Sequence, residues 1–63
     1  MRNYTSYIVE LEGGVWLAEG HGDPPRTLVK SSAKQFNSWS EANRALREAR
    51  FHRPFTGARV EEA

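Results

Sequence analysis

Apolar and β-favouring residues alternate with polar ones through the first third of the chain. Tyr4 to Glu12 is rich in Tyr, Thr, Ile and Val, and Val15 to Glu19 resumes the pattern after Gly13-Gly14. Two glycines between such runs favour a type I′ turn, because both central residues of that turn need positive φ. The pattern predicts a hairpin over Tyr4–Glu19, followed by a short third antiparallel strand over Thr27–Lys30.

The two-residue turn also predicts which side chains share a face of the sheet. Leu11 should lie opposite Trp16, and the core face should carry Tyr7, Val9, Leu11, Trp16 and Ala18. The opposite face should carry Ile8, Glu10, Val15 and Leu17. That face is more apolar than a plain solvated surface, so Glu10 and Leu17 are candidate partner-binding residues.

Helical periodicity begins near residue 38. Ser38 and Glu41 have the spacing of a capping box, in which the Ser38 hydroxyl accepts a hydrogen bond from the backbone N–H of Glu41. The apolar stripe that follows consists of Trp39, Ala42, Ala45, Leu46 and Ala49. Because Pro54 disfavours helix in the residue before it, the spacing predicts a helix over Trp39–His52, with Trp39, Leu46 and Phe51 filling the core.

Strand-like alternation returns after Thr56-Gly57 and predicts a final short strand over Ala58–Glu62. The resulting order, β-β-β-α-β, indicates the α+β class and a small two-layer sandwich of sheet and helix. With 63 residues, the chain has the length of a single domain, residues 1–63. Because it contains no cysteine, packing must supply the stability that disulfides give other small domains.

Charge is distributed unevenly along the chain. Residues 1–23 carry one basic and four acidic residues, whereas residues 26–59 carry eight basic and two acidic residues. Such a dipole favours oriented docking. Within the basic part, four arginines recur at every third position and are candidate partner-binding residues: Arg44, Arg47, Arg50 and Arg53.

Two interpretations of these arginines remain open. They could contact phosphates while Phe51 and Phe55 stack on bases. Alternatively, they form a solvated helix face, in which Arg44 has Glu48 as a four-residue partner, and Phe51 and Phe55 are core residues that close the C-terminal end of the helix. Steps of three drift around a helix, so the arginines should form a spiral ridge instead of one aligned track.

Sequence signals for catalysis are weak. There is no Gly-x-Ser-x-Gly motif and no cysteine nucleophile, and Glu10 with Glu12 forms a carboxylate pair of the kind that outward strand positions often carry. His21, Asp23 and the distant His52 are the best metal candidates, but a closed site needs about four ligands. We therefore expect a non-enzymatic protein without cofactor or metal.

No apolar run reaches the length needed to cross a bilayer, and the first residues do not resemble a signal peptide. We therefore expect a cytoplasmic location and no membrane partner.

Several short segments follow one another in a familiar order: Tyr7-Ile8-Val9, Gly13-Gly14-Val15-Trp16-Leu17, Thr27-Leu28, Ala33, Phe36-Asn37-Ser38, Glu41-Ala42, Ala45-Leu46 and Ala58-Arg59-Val60. In this order the chain resembles small accessory proteins encoded by phages and prophages. The resemblance implies a phage-type inhibitor of a bacterial defence complex, as anti-CRISPR proteins are. Such an inhibitor occupies a surface on a host protein or ribonucleoprotein, for example a CRISPR effector. It implies no catalytic residue.

Two alternatives to this interpretation remain. The first is a small nucleic-acid-binding accessory protein that uses the arginine-rich helix. The second is an orphan host subunit that is stable only within a complex.

Overall fold

The fold is an antiparallel sheet with one helix packed on it, as shown by a computed structural model that describes residues 5–20, 22 and 24–63. Over these residues the elements are β1 (Tyr7–Glu12), β2 (Val15–Leu17), β3 (Arg26–Thr27), a 3₁₀ turn (Lys30–Ser32), α1 (Trp39–Ala49) and β4 (Arg59–Glu62). The sheet order is β3-β2-β1-β4. The predicted α+β class and element order are confirmed, and β1 lies centrally because β4 pairs with it.

The β1–β2 hairpin contains a bulge that the two-glycine turn did not predict. Glu12 lies opposite Val15 as expected, but Glu10 lies opposite Trp16, which makes Leu11 an additional residue of β1. Of the two turn glycines, Gly14 alone has positive φ, at 80°, whereas a type I′ turn needs positive φ at both central residues. The predicted pairing of Leu11 with Trp16 is therefore wrong.

The bulge reverses the two faces of β2, because a shift of one residue moves each side chain to the opposite side. Leu17 is buried in the core and Val15 packs against it. Trp16 lies half-buried on the other face, and Ala18 lies beyond the end of β2. The predictions that placed Trp16 in the core and Leu17 on the outer face are thus wrong, and a buried Leu17 is not available to a partner.

Helix α1 begins where the capping box predicted. The Ser38 hydroxyl accepts a hydrogen bond from the Glu41 backbone N–H at 3.2 Å. The helix ends at Ala49, three residues before the predicted His52, and a 3₁₀-type bond from the His52 N–H to the Ala49 carbonyl continues the turn. The tighter turn at the C terminus changes the direction of the chain before Pro54.

The main core lies between α1 and the sheet. Its buried members are Val9, Leu11, Leu17, Phe36, Ala42, Leu46, Ala49 and Phe55. The buried alanines allow the helix to approach the sheet closely. Two of the aromatic residues differ from the prediction, since Trp39 is 54% and Phe51 is 86% exposed. Phe55 is 4% exposed, which agrees with the interpretation that made it a core residue. Trp39 is the first helical residue, and Phe51 follows the end of α1, so neither lies within the packed stripe.

The third strand is shorter than predicted. It ends at Thr27, whose hydroxyl accepts a hydrogen bond from the Val29 N–H at 3.0 Å. This local bond competes with strand pairing, and the chain continues into the 3₁₀ turn that begins at Lys30. The final strand agrees with the prediction to within one residue. Tyr4, the predicted start of the hairpin, lies outside the described residues.

Candidate partner-binding surface

Four arginines surround the C-terminal end of α1. Arg44 and Arg47 are helical, Arg50 is the C-cap residue, and Arg53 lies in the turn that follows; all four are exposed. Consecutive members are three residues apart in the sequence, so Arg44, Arg47 and Arg50 are neighbours along the helix and its cap, and Arg53 extends the series into the turn. The positive charge therefore winds around the end of the helix, and we call these residues together with Phe51 the arginine surface.

The charge of the arginine surface is not balanced by ion pairs with other described residues. In particular, Arg44 forms no salt bridge with Glu48, the partner that helical spacing offered. Arg50 makes one hydrogen bond, from its Nε to the Phe55 carbonyl oxygen at 3.3 Å. This bond ties its side chain across the turn, and no acidic side chain among residues 5–20, 22 and 24–63 forms a salt bridge with it.

Phe51 gives this surface an apolar centre. Its side chain is 86% exposed, the largest exposure among the large hydrophobic residues that the structure describes. It lies next to Arg50 in sequence, four residues after Arg47 and two residues before Arg53. Arginines beside an exposed aromatic ring are the composition found at the energetic centre of many protein interfaces.

A second polar cluster occupies the outer face of the sheet, opposite α1. Arg59 Nε lies 2.9 Å from Glu10 Oε1, and Arg59 Nη2 lies 3.5 Å from Glu61 Oε2. Glu61 Oε1 also lies 3.4 Å from Lys30 Nζ and accepts from Trp16 Nε1 at 3.4 Å. Glu10 is on the outer face as predicted, but its side chain is only 16% exposed because Arg59 covers it.

Arg59 and Glu61 were not predicted from the sequence as parts of this cluster. The signal was present, since residues two apart in a strand share a face. This signal identifies the cluster only when the pairing of β4 with β1 is known, because that register places Arg59 beside Glu10.

An open depression of about 200 Å³ lies beside the C-terminal half of α1. The side chains that line it include Leu17, Pro24, Phe36, Ala49, Lys34, Glu48 and His52. It forms because α1 packs mainly on β1 and β4 and leaves β2 less covered. The lining combines apolar groups with opposite charges, so it has no preference for one charge.

In the described part of the chain, no three His, Cys, Asp or Glu side chains are close enough together to hold a metal ion. His21 and Asp23, the candidate ligands from the sequence, lie outside that part. None of the described helices has the length and apolar character needed to cross a membrane.

Comparisons with protein-family models, curated proteins and solved structures gave no match for this chain.

Proposed function

We propose that this domain is a non-enzymatic binding protein that docks on an acidic surface of a protein partner. The observation that supports this proposal is the arginine surface, in which four exposed arginines without described ion pairs accompany an 86% exposed Phe51. Burial of the phenyl ring removes apolar area from water, and the guanidinium groups can bind carboxylates in bidentate geometry.

The distribution of charge favours a protein partner over a nucleic acid. The formal net charge is only +1, and acidic residues occupy the hairpin and the final strand. A nucleic-acid-binding domain of this size is usually strongly basic, because phosphate contacts dominate its affinity. In a dipolar domain, by contrast, the basic end attracts an acidic partner surface, and the acidic end helps to orient the domain on that partner.

A narrower proposal follows from the sequence resemblance alone. In it, the protein is a phage-type accessory protein in the host cytoplasm, and its partner belongs to a bacterial defence complex, for example a CRISPR effector. The arginine surface would then cover a site on that complex, as anti-CRISPR-like inhibitors do.

The experiment is capture from a bacterial lysate followed by mass spectrometry, with variants tested against each captured partner. Arg47→Glu together with Arg53→Glu reverses two charges and leaves Arg50 with its bond to the Phe55 carbonyl. Phe51→Ala removes the apolar centre. The matched control is Arg26→Glu with Lys34→Glu, which changes the net charge equally at exposed positions outside the arginine surface.

We expect the partner to be retained by the control and lost by both arginine-surface variants, since exposed substitutions usually change stability by only about 0.5 kcal/mol. Equal loss in the control would contradict the proposal, because it would show dependence on net charge alone. Tight binding of random duplex or single strands, with steep weakening by salt, would indicate the nucleic-acid alternative. Capture of defence proteins by the control, but not by the two arginine-surface variants, would support the narrower proposal.

A further inference from the structure

The strand β4 forms one edge of the sheet, and some of its backbone groups have no partner among the residues that the structure describes. The Ala63 N–H donates to the Ser6 carbonyl at 2.8 Å, so residues 63, 61 and 59 direct their backbone groups toward β1. The alternation of an antiparallel ladder directs those of Val60 and Glu62 outward. Neither outward-directed residue has a backbone hydrogen bond to another described residue outside the sheet.

A second copy of the same edge can bind here only in certain registers. In an antiparallel pair related by a twofold axis, outward-directed residues must pair with outward-directed residues. If Val60 lies opposite Val60 of the second copy, Arg59 lies opposite Glu61 of that copy, twice by symmetry. A shift of one pairing step in either direction places Arg59 opposite Arg59 or Glu61 opposite Glu61. Charge therefore favours one register.

We propose that the β4 edge binds a second copy of this chain and forms a continuous eight-stranded sheet centred on Val60. The Arg59–Glu61 positions are a non-hydrogen-bonded pair in this register, where opposing Cβ atoms are closest, at about 4.5–5.5 Å. The Arg59 side chain is 68% exposed and can reach across. Each copy already holds Arg59 with Glu10 and Glu61 with Lys30, so the pairing joins two clusters of alternating charge.

The charges of β4 have a second effect. Short, charged edge strands discourage pairing with unrelated strands. In antiparallel pairing, however, the Arg-Val-Glu sequence of β4 places Arg59 opposite Glu61 of an identical strand. The same charges therefore favour pairing with a second copy of this chain. The twofold axis is perpendicular to the sheet, so both α1 helices lie on the same side of the dimer. Association also adds buried surface to a domain whose own core is small.

Analytical ultracentrifugation across the micromolar to millimolar range tests this proposal. The native chain should form a dimer, and Glu61→Arg or Arg59→Glu alone should weaken it by about tenfold or more, because like charges then face each other at both symmetric positions. An equimolar mixture of the two variants should restore dimerisation, since one chain then has two arginines and the other two glutamates at these positions. Weakening by each variant alone, followed by rescue in the mixture, is the pattern expected if Arg59 and Glu61 face each other across the dimer.

Glu62→Arg is the matched control, because it changes the same charge in the same strand but at a residue that faces the α1 side, and it should dimerise normally. Circular dichroism establishes that each variant is folded. If a single variant does not fold, the double variant Arg59→Glu/Glu61→Arg carries the test, and it should form a homodimer. A monomeric native chain, a failed rescue, a monomeric double variant, or a Glu62→Arg effect equal to that of Glu61→Arg would overturn the proposal.

Discussion

Replacing Phe55 by Ala should destabilise the domain far more than the same change at Phe51, four residues earlier. The two positions have the same side chain and flank the same turn, but Phe55 is 4% exposed and belongs to the core, whereas Phe51 is 86% exposed. A buried Phe→Ala change costs about 3–5 kcal/mol through lost transfer energy and the cavity left behind. An exposed substitution usually stays within about 0.5 kcal/mol.

These magnitudes are large relative to the whole domain. Native proteins are stable by about 0.05–0.15 kcal/mol per residue, which gives about 3–9 kcal/mol for a chain of this length. Phe55→Ala should therefore leave little stability, and any remaining transition should have a Tm lower by about 10 °C or more. The Arg50–Phe55 hydrogen bond uses the backbone carbonyl and is retained in the variant.

Urea titration and thermal melting, both followed by far-UV circular dichroism, measure the difference. Fluorescence of Trp16 and Trp39 provides an independent probe of the same transition. Equal destabilisation by the two variants would refute the assignment of Phe55 to the core. A larger effect at Phe51 would restore the arrangement expected from the sequence.

Four further substitutions test the helix and the hairpin. Leu46→Ala should cost about 2–4 kcal/mol, because a buried side chain is removed between α1 and the sheet, and a denaturation midpoint close to that of the native chain would show that Leu46 is not central. Ser38→Ala should cost about 1 kcal/mol through loss of the cap, measured by the same titration; no change would place the helix start elsewhere. Gly14→Ala should destabilise by about 1 kcal/mol because φ is 80°, whereas Gly13→Ala should not, so equal effects would contradict the turn geometry.

Local signals predicted the helix start and the last strand well. The capping box depends on residues three apart, and the stripe that includes Ala42 and Leu46 depends on a helical period, so both are readable without tertiary structure. The strand after Gly57 was likewise located by alternation. Each of these features depends on residues that are close together in the sequence.

Features that depend on one extra residue or on distant pairing were not predictable in the same way. The bulge at Leu11 exchanged the faces of the sheet on which Trp16 and Leu17 lie. It was not predictable, because the two-glycine sequence is the same whether one or both glycines adopt positive φ. The aromatic residues that fill the core could not be chosen from composition either. Phe51 and Phe55 are both near the end of α1, and the direction of the turn between them decides which one is buried.

Among the candidate binding residues, exposure of the arginines followed from their places outside the apolar stripe. The burial of Leu17 could not be predicted in this way, because it depends on the hairpin register. The association of Glu10 with Arg59 joins residues 49 positions apart and required the order of strands in the sheet.

The central position of β1 also affects how the protein reaches its native state during translation. One neighbour, β2, is available after a two-residue turn, but the other, β4, is synthesised almost at the end of the described chain. Closure of this long loop costs chain entropy before the contacts of α1 with β1 and β4 can form together. A nascent chain whose β4 segment is still inside the ribosome should therefore remain sensitive to proteases. Folding should be completed only after β4 emerges.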